Sequence, residues 1–481
     1  MNAKFFVKAH YLPTILACTI LAGCASSPDN AVNHSSSRQS PVFFDSVKAP
    51  QFSSTPYVRF EHEAWTQDAV IYQINTRQFS KEGTFNAVQQ QLPRLKELGV
   101  EILWFMPIHP IGEMHRKGKL GSPYAVKDYF TVNPEFGTEE DFKALVQAAH
   151  AQGFKVILDW VANHTAWDNV VREAHPDWYS KNDEGQLHST PWFDWDDIVE
   201  LDYSQPDLRQ YMTEAMLYWV REYDVDGYRA DAAGFVPLDF WETATAELRK
   251  IKPVFMLAEW ENRDLHAFAF DASYSWTWWD VMHDIAQGKK DVSALFGYYA
   301  WDVKYYPENA YRMLYVTNHD KNSWDGTEFE IFGDAVEAVT VLSFVSKGIP
   351  LIYNGQEAGN AKRLAFFERD PIHWQTHPHE KLLKALIDLK KKQPALWNGH
   401  FGGVVQQVKN TLPNQVLSFY RQVEGSKVLV VVNLSAQAVK VGFSSSSFAG
   451  RYETFGSGKK VELNVGDEFD MKAWEYRVFY Q

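Results

Sequence analysis

Between residues 69 and 353, short apolar runs that suit extended chain alternate with stretches whose apolar residues recur at helical spacing. The runs at 69–74, 100–107, 154–159, 225–231, 254–259, 312–316 and 349–353 read as strands. Residues 85–98, ending at Gly99, and 139–151, closed by Gly153, read as helices. An apolar run of this kind cannot leave either face in water, and a helix after it supplies the cover. The alternation therefore predicts an α/β chain of parallel strand–helix units, closed as a (β/α)8 TIM barrel. An open doubly wound sheet is the alternative fold, but neither G-x-G-x-x-G nor a phosphate-binding loop follows the first strand.

The barrel is expected over residues 61–164 and 206–394, interrupted at 165–205 by a small excursion after the third strand. That excursion carries Trp167, Trp178, Trp192 and Trp195 among acidic residues. From 395 to 481 the pattern changes to period two, with runs at 415–421 and 427–433 around a turn at Glu424-Gly425. A C-terminal antiparallel β-sandwich domain is the expectation there.

A net charge of -14 repels phosphate backbones, so nucleic acid is excluded as a partner. Aromatic residues make up 15% of the chain, enough to supply flat rings for sugar faces besides a core. The only cysteines, Cys18 and Cys24, precede the folded part, which no disulfide can brace. Lys4 and Lys8 followed by an apolar run at 11–22 are built like a secretion signal, too short to span a bilayer. Its end, Leu21-Ala22-Gly23-Cys24, resembles the bacterial lipobox, which implies a leader over 1–24, lipidation at Cys24 and an extracytoplasmic chain that meets the membrane through its lipid anchor only. Ala25 points to the outer membrane, an ordinary cleaved leader being the alternative. Residues 25–60, rich in Ser, Asn, Gln and Pro, read as a flexible tether.

Charge appears where the strands end. Side chains alternate along a strand, so Val225, Gly227, Arg229 and Asp231 share one face, which sets a guanidinium beside a carboxylate in a buried sheet. Alone, this reads as a structural ion pair. The pattern recurs, however, in Asp159-Trp160-Val161-Ala162-Asn163-His164, in Leu257-Ala258-Glu259-Trp260 and in Thr317-Asn318-His319-Asp320. In a TIM barrel the C-terminal ends of the strands meet at one mouth, so these acids converge there. Like charges in one cleft repel, and chemistry is the usual reason to tolerate them.

In order and spacing these segments, with Ser122-Pro123-Tyr124 after the second strand and residues 348–357 at the eighth, resemble the α-amylase family of retaining glycoside hydrolases. The resemblance implies hydrolysis of α-1,4-glucosidic bonds in starch-derived glucans or malto-oligosaccharides. It makes Asp231 the nucleophile, Glu259 the general acid/base and Asp320 the stabiliser of the distorted sugar. Tyr124, His164, Arg229 and His319 match positions at the sugar being cleaved, and Asp159 matches a support. Two carboxyl groups suit the reaction: one traps the oxocarbenium-like centre, and the other protonates the leaving oxygen. Trp260 is a candidate for the apolar wall that keeps Glu259 protonated, and Tyr274, Trp276 and Trp278, on one strand face, are candidates for cleft or core. No cofactor is implied for the chemistry. A structural calcium is implied at Asn163 and Asp202, although Phe235 stands where the family often has His. Rival readings are an α-glucanotransferase or cyclomaltodextrinase-like enzyme with the same residues, and a non-catalytic glucan-binding lipoprotein.

Overall fold

In the computed structural model, which describes residues 57–481, eight parallel strands close into a barrel in chain order. They are β1 (Ile71–Ile74), β2 (Ile102–Phe105), β3 (Lys155–Val161), β4 (Gly227–Asp231), β5 (Phe255–Ala258), β6 (Ala272–Tyr274), β7 (Tyr311–Tyr315) and β8 (Ile349–Tyr353). Each strand pairs with the next, and β1 completes the ring on β8 with Ile71 opposite Leu351. Leader, Cys24 and nearly all of the expected tether lie outside the described residues, among which no helix is long and apolar enough to cross a membrane.

The helix expected over 85–98 is two, Phe85–Gln90 and Leu92–Leu98, because Pro93 lacks the N–H that would continue the first and suits the opening turn of the second. Gly99 then ends the segment with a left-handed φ of 104°. Glu139–Ala151 is one helix, as its pattern predicts, with Thr138 and Asp141 each accepting the other's backbone N–H. β6 has three residues, too few to display a period. Past it the chain turns into the helix Trp276–Ala286, so Tyr274, Trp276 and Trp278 do not share a strand face as expected. Trp278 is buried in the core.

β4 begins at Gly227, whose φ is 144° and where a Cβ would come within 1.9 Å of the Phe255 carbonyl oxygen. Only glycine permits that approach of β4 to β5. The acid just before it, Asp226, belongs to the opposite end of the barrel from Asp231. Its carboxylate accepts the Val156 N–H at 2.9 Å and meets His150 Nε2 at 2.7 Å and Lys252 Nζ at 3.0 Å. Burial pushes this carboxyl up, but His150, the Val156 N–H and Lys252 outweigh it and hold it down to about 2. Asp226→Asn is therefore expected to destabilise the fold by about 2 kcal/mol at neutral pH. The native carboxylate contributes stability above its unfolded pKa and loses it as pH falls towards 2, so melting temperatures of parent and variant should converge below pH 3 while turnover at pH 7 stays within about twofold.

After β3 the chain makes its excursion, in which His164–Ala166 pairs antiparallel with Ile198–Glu200 before the helix Pro206–Tyr223 resumes the barrel. At the C-terminal end a six-stranded antiparallel sheet contains Val416–Val423 and Ser426–Asn433, and Val439–Gly442 pairs with Glu468–Met471. Val408, Leu429, Val441, Phe443, Phe448 and Met471 fill the core of this domain. Arg421 fastens it to the barrel: the guanidinium donates to the barrel carbonyl of Ser346 and to those of Trp397 and Gly403 in the segment that leaves the barrel, each at 2.7 Å. Ser346 follows the last turn of the helix Val336–Val345, where orphan carbonyls favour a cation.

Candidate active site

A single buried guanidinium gathers the acids that end three strands. Arg229, on β4, donates from Nη1 to Asp159 Oδ1 at 2.7 Å and to Asp231 Oδ1 at 2.8 Å, while its Nη2 lies 3.0 Å from Glu259 Oε2. Strand registry places them: Asp159 on β3 is opposite Arg229, Val161 is opposite Asp231, and Glu259 follows Ala258, the partner of Ala230. Arg229 and Asp159 have no solvent access, whereas the side chains of Asp231 and Glu259 are 12% and 17% exposed. The support is thus sealed, and the two reactive candidates face an opening.

Backbone strain accompanies that opening. Ala232 adopts the left-handed conformation (φ 43°), uncommon for a residue with a Cβ, and so turns its N–H onto Glu259 Oε2 at 2.7 Å. Burial raises the Glu259 carboxyl; Arg229 pulls against it, and the charges of Asp231 and Asp320 push with it, to about 8. Asp159 is raised by the same burial, to about 7. Arg229 Nη1, Trp104 Nε1 at 3.1 Å and the Tyr124 hydroxyl at 3.1 Å all donate to it, which leaves Asp159 the acceptor and Glu259 the holder of the cluster's proton.

Tyr124 extends the network to the last acid. His319 Nε2 lies 2.7 Å from the Tyr124 hydroxyl and 3.3 Å from Asp320 Oδ2. Gln73 fixes that ring: its Oε1 accepts the His319 backbone N–H, which turns its amide nitrogen onto Nδ1 at 2.6 Å. Nδ1 is then the acceptor, and Nε2 carries the hydrogen. Burial, with Arg229 adding to it, holds His319 far below the usual histidine range, so the ring is neutral. Asp320 is raised by the depth of its site, even though its side chain is 41% exposed. His164 is buried beside the excursion with its Nδ1 3.2 Å from Asn163 Nδ2 and its ring against Trp195; burial lowers it, and Asp231 is the first charge to oppose that.

Sequence reasoning missed Gln73 and Trp104. Gln73, the amide inside the apolar run 69–74, was detectable as a buried polar side chain needing a partner. Trp104 gave no signal, since large aromatics in strands are ordinary core, whereas Tyr274, a candidate for cleft or core, sets its hydroxyl 3.4 Å from Arg229 Nη2. Trp260 packs on Gly234, where a Cβ would come within 2.1 Å of the indole, and edge-on to Phe235 and Trp276. The lift on Glu259 comes from burial and neighbouring acids.

Asn163 and Asp202, the residues implied for calcium, are both tied into local hydrogen bonds. The Asn163 amide donates to Thr190 Oγ1 at 2.9 Å, and the Asp202 carboxylate is engaged by the Ser204 N–H at 2.9 Å and the Gln205 amide at 3.1 Å, where it shapes the turn into the following helix. Among the described residues no group of three or more His, Cys, Asp or Glu could hold a metal ion.

Residues 60–298 match the family model of the α-amylase catalytic domain. The crystal structure of an α-amylase from Lactobacillus plantarum superposes with a TM-score of 0.77 at 31% identity, over 86% of this chain and 99% of that one. The chain belongs to the α-amylase family. The enzyme is also similar to a maltogenic α-amylase, AmyB, of Thermotoga neapolitana, at 29% identity and a TM-score of 0.78 over 86% of this chain and 98% of that one. With α-amylase MalA of Haloarcula japonica it shares 27% identity over 81% of its own length and 58% of the relative's, so it spans little more than half of that protein. As a glycoside hydrolase of this family it needs no cofactor for its chemistry.

Proposed function

We propose that the enzyme hydrolyses α-1,4-glucosidic bonds of starch-derived glucans or malto-oligosaccharides with retention of configuration, Asp231 acting as nucleophile and Glu259 as acid/base. The observation that carries this reading is the shared guanidinium, which binds both acids yet leaves them unlike: Asp231 accepts a charge-assisted bond from Arg229 at 2.8 Å, and Glu259 is raised to about 8. In the first step Asp231 attacks the anomeric carbon, and the Glu259 proton passes to the departing glycosidic oxygen. In the second step Glu259 takes a proton from water, which replaces Asp231 on the sugar. Asp320 and neutral His319 would hold the sugar's hydroxyls, with Tyr124 beneath its apolar face. The names of similar proteins, a maltogenic α-amylase and cyclomaltodextrinases among them, support this substrate class.

Proton NMR of maltotriose hydrolysis tests the stereochemistry. The α-anomer should appear first and mutarotate later; a β-anomer formed first would exclude the nucleophilic role. The same time course distinguishes transfer, which would show oligomers longer than maltotriose early.

We further propose that the enzyme acts outside the cytoplasm, held at a bacterial outer membrane by lipid on Cys24. The leader pattern and Leu21-Ala22-Gly23-Cys24 support this. Labelled palmitate should enter the parent and not Cys24→Ala; equal labelling would refute it.

A further inference from the structure

Two sets of aromatic rings leave the catalytic acids in opposite directions around the barrel. One belongs to the loops after β3 to β6: Trp195 stacks on Phe193 at 4.2 Å, and Phe235 stands between Phe193 and Trp260, next in sequence to Glu259. The other belongs to the loops after β2, β7 and β8. There the Phe366 ring lies 10° from the plane of Tyr124 with centroids 6.2 Å apart, and Trp324 meets Phe366 at 5.1 Å.

Trp324 is held outward. Directly after Asp320 the residues Lys321–Asp325 form a π turn, closed by the Gly326 N–H on the Lys321 carbonyl at 2.9 Å, and this turn displays an indole that is 55% exposed. Wide turns of this kind are concentrated at functional sites. The turn is also latched to the segment bearing Phe366: Asn322 accepts the Leu364 N–H at 2.9 Å and donates to the Lys362 carbonyl at 3.1 Å. From the other side the Leu120 N–H donates to the Phe367 carbonyl at 3.1 Å, and Gln78 donates to the carbonyls of Ala365 and Glu368. Rings fixed this way lose little freedom when a ligand covers them.

We propose that Trp324 and Phe366 are a binding platform for the glucose unit adjoining the cleaved one on its non-reducing side, and so set the shortest glycone the enzyme processes well. The proposal rests on the roles given above to Glu259 and Asp231. Glu259 protonates the departing oxygen, so the leaving sugars lie on the side of β4 to β6. In the closed strand order, β7, β8 and β2 form the other half of the mouth, which receives the retained end of the chain. A glucose ring presents C–H groups on its faces, and an exposed indole is a surface that takes them.

The test compares 4-nitrophenyl α-glucoside, which has one sugar on the retained side, with 4-nitrophenyl α-maltoside, which has two. Trp324→Ala should lower kcat/KM for the maltoside about tenfold, leave the glucoside within about twofold, and be largely rescued in Trp324→Phe. Equal loss on both substrates, or no loss on the maltoside, would overturn the platform. Calorimetric titration of maltotriose into an Asp231→Asn background separates the proposal from the reading beneath it. There Trp324→Ala should weaken binding about tenfold, and unchanged affinity overturns the platform. Undiminished turnover by Asp231→Asn itself would instead strike at the assignment of the nucleophile.

Discussion

Glu259→Gln is expected to hydrolyse maltotriose at least a thousandfold more slowly than the parent while still folding, because an amide cannot give the departing sugar oxygen its proton. On a 4-nitrophenyl glycoside, whose phenolate departs unprotonated, the first step should be largely spared. Asp231→Asn should lose the first step on both substrates. A Gln variant within about tenfold of the parent on maltotriose would refute the role of Glu259. The parent's pH profile carries the same signature: the acid must be protonated, so turnover should fall as pH rises through about 8, the value to which burial and the charges of Asp231 and Asp320 lift Glu259. That limb should be missing from the slow residual activity of the Gln variant.

Stability should move the opposite way. Folded Glu259 keeps its proton above 4.5, where the unfolded chain has lost it, so parent stability declines as pH climbs from about 4.5 towards 8. An amide at this position does not ionise. The melting temperature of Glu259→Gln should therefore exceed the parent's by a margin that widens between pH 5 and pH 8. A margin that stays constant over this range would mean that Glu259 is ionised in the folded protein.

Arg229→Met should cost about 3–5 kcal/mol of stability together with at least a thousandfold in turnover. The variant would leave Asp159, Asp231 and Glu259 without the cation that all three address, in a site where Arg229 and Asp159 have no contact with water. Arg229→Lys should not restore activity, since an ammonium on a flexible stem cannot reproduce one nitrogen shared by two aspartates and a second set on Glu259 and the Tyr274 hydroxyl. Thermal denaturation and kcat on maltotriose are the measurements. A Met or Lys variant melting with the parent and retaining a tenth of its turnover would show that the guanidinium is not the organiser inferred from these contacts.

Much of the barrel was legible because parallel strands buried on both faces leave mostly apolar runs, and β1 to β5, β7 and β8 stand out in this way even where Gln73, Asp159, Arg229 and Arg312 interrupt them. β6 does not: three residues give no period, and its identity rests on pairing with β5 and β7. The break at Pro93 is readable from proline's missing N–H, but it sits within a longer apolar rhythm that reads as one helix. At the site, alternation along β4 set Arg229 and Asp231 on one face, and their bond through Nη1 follows from that. Asp226 carries the limit of such reading. Only five positions from Asp231, it lies at the other end of the strand, pulled down to about 2 where Glu259 is pushed up to about 8.

By itself, the order of apolar runs and helical stretches determined the fold class, and the acids at the strand ends determined which residues meet at the mouth, because both follow from periodicity and from the rule that parallel barrels open at one end. Which carboxyl holds the proton was decided only by the tertiary structure. Burial, the aim of the Arg229, Trp104 and Tyr124 donors, and the left-handed turn at Ala232 act through space between residues far apart in the chain. No spacing along a sequence encodes an electric field.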